Sequence, residues 1–229
     1  MAFDNDGDDR RATTSTDIDD ERRRLLAGSA GALGALVLGG AGAVQPALGH
    51  EDDPFEDDVD LLNYALTLEY LEADFYDQGL DTIGEEKLLS SDPIHSLGEP
   101  IRDRVFSELR VIQEHEETHV DVLRDTIEDL GGDPIDEPEF EFGTATEEPD
   151  EFLALAAQLE DTGVSAYAGA APEIDDPDLV PPALSIHSVE ARHASFIRVL
   201  NGEIGFPQAF DPARTREEVL EIAGQFIDG

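Results

Sequence analysis

The stretch Glu114-His115-Glu116-Glu117-Thr118-His119 sits in the middle of a long amphipathic run, and its reading decides the fold. Taken as Glu116-x-x-His119, it sets a carboxylate and an imidazole one helical turn apart, half of a site for two metal ions. Taken as His115-Glu116-x-x-His119, it is the pattern in which two histidines hold zinc and the glutamate acts as base. The flanking residues bear on the choice. Apolar side chains recur at three and four as Val105, Leu109 and Ile112. Glu116 and His119 then take the next places on that stripe, and Leu123 and Ile127 resume it. A helical stripe of this period faces a core. An unpaired charge there costs several kcal/mol, and a shared divalent cation removes the cost.

The intrusion recurs. Ile112, Glu116, His119 and Leu123 line up with Ile186, Glu190, His193 and Ile197 at an offset of 74 residues. Leu62, Ala65, Glu69, Glu72 and Tyr76 line up with Leu153, Ala156, Glu160, Gly163 and Tyr167 at an offset of 91. The chain therefore reads as two helix pairs, each bringing a lone inward glutamate and one Glu-x-x-His. With 55 acidic residues in the chain, a glutamate by itself says little, so position carries the argument. His115 lies beside Val111 and Val122, off the central stripe. The zinc reading also leaves Glu69, Glu160, Glu190 and His193 without a role. His115 and His187 are accordingly read as flanking polar residues.

Periodicity predicts helices over about 58–78, 100–130, 149–169 and 181–201. Asp211-Pro212 marks the start of a short fifth helix over about 213–227. The longest connection, about 131–148, contains Glu139-Phe140-Glu141-Phe142, a short strand or a clamp that ties the crossover to the bundle. No strand pattern of any length is present. The expected fold is all-α: a four-helix bundle over 58–201 with a long crossover between its second and third helices. An acidic linker at 50–57 precedes it and a C-terminal extension, 202–229, follows.

One glutamate from each of two helices and Glu-x-x-His from each of the other two resembles the ligand set of the ferritin-like di-iron and di-manganese carboxylate bundles. The segments ALTLEYLEADFY and EHEETHV look most similar to small ferritin-like domain proteins, the desiccation-related ones among them. The resemblance implies two iron or manganese ions held by Glu69, Glu116, His119, Glu160, Glu190 and His193, with Glu116 and Glu190 bridging. It makes Tyr76 and Tyr167 hydrogen-bond partners of the ligands or one-electron donors. Glu72, near the stripe, stands ready to replace or join Glu69. The activity implied is oxidation of Fe(II) or removal of peroxide, with O2 or peroxide as the small oxidant. The alternative is a metal-stabilised protein of the envelope that protects against desiccation or salt without turnover. A homo-oligomer fits either.

Composition narrows the setting. Against the 55 acids stand 14 basic residues, of which only Lys87 is lysine, for a formal net charge of −41. Apolar residues still make up 40% of the chain, unlike a disordered polyanion. Molar salt shortens the Debye length to about 3 Å, which is the condition such self-repulsion calls for. A halophilic protein is expected, with no attraction to nucleic acid. There is no cysteine, so disulfides, thiolate-bound zinc and iron–sulfur clusters are excluded. Residues 1–49 read as a polar acidic leader and then Arg22-Arg23-Arg24-Leu25-Leu26 before a Gly/Ala-rich uncharged run. This looks like a twin-arginine secretion signal, with Arg22 and Arg23 as the pair read by the translocase. Export to the cell surface or beyond is expected, with membrane association through residues 25–44 as the alternative to cleavage.

Overall fold

The computed structural model describes residues 55–227. The twin-arginine-like segment at Arg22 and Arg23 and the uncharged run 25–44 lie outside them. Six α-helices follow in chain order: α1 (Asp58–Leu89), α2 (Asp92–His95), α3 (Glu99–Asp129), α4 (Pro149–Ala170), α5 (Val180–Leu200) and α6 (Arg216–Ala223). The four long ones, α1, α3, α4 and α5, form an all-α bundle. They pack most closely within the pairs α1–α3 and α4–α5 and across the α1–α4 seam. No helix among the described residues is long and apolar enough to cross a membrane.

The stripe on α3 buries Val105, Leu109, Ile112, Glu116, His119, Leu123 and Ile127, the spacing its sequence carries. Pro100 in its first turn and Gly131, at φ 80, just past its end bracket the helix. α1 runs further than its pattern predicts. Gly84 was expected in a loop, but at φ 70 and ψ 161 it only kinks the helix, because Leu80, Ile83 and Leu88 keep the apolar face in the core. α6 also departs from expectation. Its cap is Thr215, whose hydroxyl accepts from Glu218 N while Glu218 accepts from Thr215 N; Asp211-Pro212 lies upstream.

The crossover is a clamp and not a strand. Phe140 forms an isolated bridge with Ile227, and Glu141 N donates to Phe226 O at 2.8 Å. Phe142 packs 5.1 Å from Phe75 and 5.8 Å from Phe226, ring to ring. Asn63 of α1 holds the other end, accepting from Ile135 N at 2.9 Å and donating to Asp133 O at 3.2 Å. The long connection is thus anchored to α1 at both ends, leaving the interior to the four long helices.

Candidate metal centre

Each long helix carries its charged stripe residues into one buried space. α1 brings Glu69, α3 Glu116 and His119, α4 Glu160, and α5 Glu190 and His193; none is more than 8% exposed. Apolar residues one turn away on either side bury the same faces, so packing itself draws the carboxylates inward. His119 Nδ1 lies 3.1 Å from Glu69 Oε2, 3.0 Å from Glu116 Oε2 and 3.1 Å from Glu190 Oε1. His193 Nδ1 lies 2.8 Å from Glu116 Oε1 and 3.5 Å from Glu160 Oε2.

These side chains form two overlapping groups, Glu69, Glu116, His119 and Glu190 in one, and Glu116, Glu160, Glu190 and His193 in the other. Within each, one ligand atom per residue lies within 4.8 Å of the others, a spread that can hold a metal ion. Glu116 and Glu190 belong to both groups. The donors also fail to satisfy one another. Glu116 Oε1, Glu160 Oε2, both Glu190 oxygens, Glu72 Oε2 and His193 Nδ1 are buried without a protein hydrogen-bond partner. The short His193–Glu116 approach lacks hydrogen-bond alignment, as it would if both atoms aimed at a common point between them. Buried polar atoms are nearly always paired, so this concentration marks where a cation fits. Carboxylate and imidazole donors without sulfur suit a divalent metal ion of intermediate softness.

The tyrosines cross between the helix pairs. Tyr76 of α1 donates its hydroxyl to Glu160 Oε1 of α4 at 2.5 Å, and Tyr167 of α4 donates to Glu69 Oε1 of α1 at 2.6 Å. Each ties down the lone glutamate of the opposite pair, an exchange that stripe alignment alone does not reveal. Glu72 breaks the repeat. Its counterpart is Gly163, where a Cβ would meet Glu72 Oε1 at 3.2 Å and Glu190 Oε2 at 3.4 Å. The missing side chain on α4 makes the room that the extra carboxylate on α1 occupies.

His115 belongs to neither group. It is not a detached bystander, however: its Nδ1 lies 2.9 Å from His193 Nε2, with the rings stacked 5.2 Å apart. It touches the face of His193 turned away from the carboxylates. Sequence reasoning missed this contact because it joins α3 to α5. The zinc-hydrolase pattern needs His115 and His119 on one ion, and the structure directs them to different neighbours.

Electrostatics follow the crowding. Burial lifts the Glu72 and Glu190 carboxyls well above their usual range, and the neighbouring glutamates add to it. Burial also raises Glu69 and brings Glu160 up to about 7. Burial alone would raise Glu116 too, but the two histidines beside it hold it below the usual range. Burial pushes the imidazoles down; the carboxylates around them prevail, lifting His119 to about 12 and His193 to about 10. A cation bound among these carboxylates would compete with the protons that their raised affinity favours, so metal binding releases protons.

A four-helix bundle with a buried carboxylate–histidine cluster at its centre defines the class, one whose site is compatible with two metal ions. The chain belongs to the ferritin-like domain family, whose model matches residues 57–203. No curated protein matches the chain.

Proposed function

We infer that the cluster holds two iron or manganese ions and that the protein oxidises Fe(II) or removes peroxide. Glu69 and His119 would complete one position, Glu160 and His193 the other, with Glu116 and Glu190 between the two. A pair of such ions supplies a couple between the +2 and +3 states against which O2 or peroxide can be reduced. The observation that carries the reading is the set of buried carboxylate oxygens, shared by two groups, that the protein leaves unpaired.

The rest of the work falls to the chain. Tyr76 and Tyr167 fix the rotamers of Glu160 and Glu69 by hydrogen bonds at 2.5 and 2.6 Å. Burial of all six donors excludes bulk water and strengthens their field. The absence of cysteine means that no thiolate-bound iron in this chain relays electrons, so a reductant comes from outside it. The Arg22-Arg23 run supports export through the twin-arginine route, and the acid excess supports a saline setting, where a desiccation-related role would fall.

A second reading keeps the metal but not the turnover. The closure of the cluster, with no donor more than 8% exposed, favours ions that brace a protective envelope protein. Stopped-flow absorbance after Fe(II) and O2 are mixed with metal-free protein separates the two. Turnover predicts an oxidised iron band and consumption of oxidant; bound metal with neither would leave the structural role.

A further inference from the structure

The two ends of the bundle flank the cluster and, by the internal repeat, should be packed alike. They are not. Beyond Glu160 and His193, Phe75 and Phe152 stack at 4.9 Å with 15° between planes, and Tyr76 closes on Phe152 edge-on. That end is so full that a Cβ on Gly79 would come within 2.3 Å of Phe152. At the other end, the places of Phe152 and Phe75 are taken by Leu61 and Ala166, and those of Leu109 and Leu200 by Ala183 and Thr126. Every one of these exchanges removes side-chain volume. The result is a cavity of about 40 Å³ between α1, α3, α4 and α5, with all four of those smaller residues in its wall.

The cavity abuts one position of the cluster. Ala65, Leu123 and Ile186 in its wall lie one turn from Glu69, His119 and Glu190 respectively. Tyr167 spans the gap, lining the cavity with its ring while its hydroxyl donates to Glu69. Two of the three hydroxyl-bearing residues in its wall are committed: the Tyr167 proton goes to Glu69, and Thr126 Oγ1 donates to Val122 O at 2.6 Å; the third is Tyr64, and the rest of the wall is apolar.

We propose that this cavity binds dioxygen and delivers it to the Glu69–His119 side of the cluster; the proposal rests on the dimetal reading above. Size and chemistry both select the occupant. A single water needs roughly 10–15 Å³ of such space, so the cavity takes about three molecules of that size at most. Drug-sized ligands need about 300–1,000 Å³, which is out of reach. Water is a poor occupant because it needs about two to four polar partners, and hydrogen peroxide would lose the hydration of both its hydroxyls. A small apolar gas loses nothing by entering. The asymmetry gives the O2 route to one metal position and closes the matching route to the other with Phe75 and Phe152.

The test uses xenon, which dry apolar cavities bind, on the full-length protein by xenon-pressurised crystallography. Xenon is expected among Leu61, Ala65, Leu123 and Ala183, and nowhere between Phe75 and Phe152. Ala183→Leu and Thr126→Leu copy the residues of the filled end, and each should abolish the xenon peak. In iron-loaded protein both variants should slow oxidation by O2 several-fold while leaving metal content and oxidation by peroxide unchanged. No xenon in the wild-type cavity, or equal slowing of both oxidants, overturns the proposal. A protein that takes up xenon but no metal would sink the dimetal reading instead, so the two failures are distinguishable.

Discussion

The filled end of the bundle and the open end share a sequence plan and differ in volume. Both present an apolar stripe, a lone glutamate and a tyrosine that reaches across to the opposite pair. Only one carries the Phe75–Phe152 stack, held under the crossover by Phe142. The duplication thus constrains the donors, which must meet at one point, and leaves the surroundings free to diverge. Glu72 facing Gly163 is the same lesson inside the cluster.

The largest test of that contrast is truncation. Phe152→Ala opens the filled end and should cost about 3–5 kcal/mol in denaturant unfolding. Leu61→Ala, its counterpart beside an existing cavity, should fall at or below about 2 kcal/mol, near the low end for a core leucine. Equal losses would break the comparison. Overpacking comes next: Gly79→Ala drives a Cβ into Phe152 and should cost about 1–3 kcal/mol. Tyr76→Phe and Tyr167→Phe each strip a donor from a buried glutamate, and each should lower thermal stability by about 1–3 kcal/mol. If the ends are equivalent in this respect, the two losses will agree.

Acidity sharpens the account further. Glu160 binds its proton more tightly folded than unfolded, so the metal-free fold loses stability as pH rises through the window from 4.5 to about 7. The raised Glu69, Glu72 and Glu190 act in the same direction, while the lowered Glu116 opposes them by losing its contribution in acid. His119 and His193 contribute fully below 6.5 and lose that contribution progressively as pH rises from there to about 12 and about 10. The gain in Tm on adding metal should therefore grow with pH across the lower window. A gain that shrinks with pH would mean that the cation does not replace those protons. The smallest effect is expected at His115: His115→Ala should leave the metal content unchanged, since it touches only the outer nitrogen of His193.

Much of the bundle was legible because its helices are strongly periodic. The α3 stripe from Val105 to Ile127 is buried at the spacing its sequence shows, and Glu116 and His119 stand out only because they interrupt it. The extension of α1 past residue 78 was hidden by Gly84, which reads as a stop unless Leu80, Ile83 and Leu88 are weighed together. The Thr215-x-x-Glu218 capping box was written in the sequence but overshadowed by Asp211-Pro212. The contact of His115 with His193 and the crossed tyrosine bonds join residues 78 or more positions apart, beyond what a stripe can specify. The cavity was half legible: Ala166 against Phe75 is visible in the alignment of the repeats, but its consequence depends on packing.

Two ions in the cluster would have to share Glu116 and Glu190. Metal analysis of the full-length protein purified at high salt, beside its Glu116→Ala and Glu160→Ala variants, tests this most directly. About two iron or manganese ions per chain are predicted, with Glu116→Ala losing both and Glu160→Ala losing the one beside His193. Less than one ion per chain in the wild type, or a Glu116→Ala variant that keeps its metal, would contradict the claim.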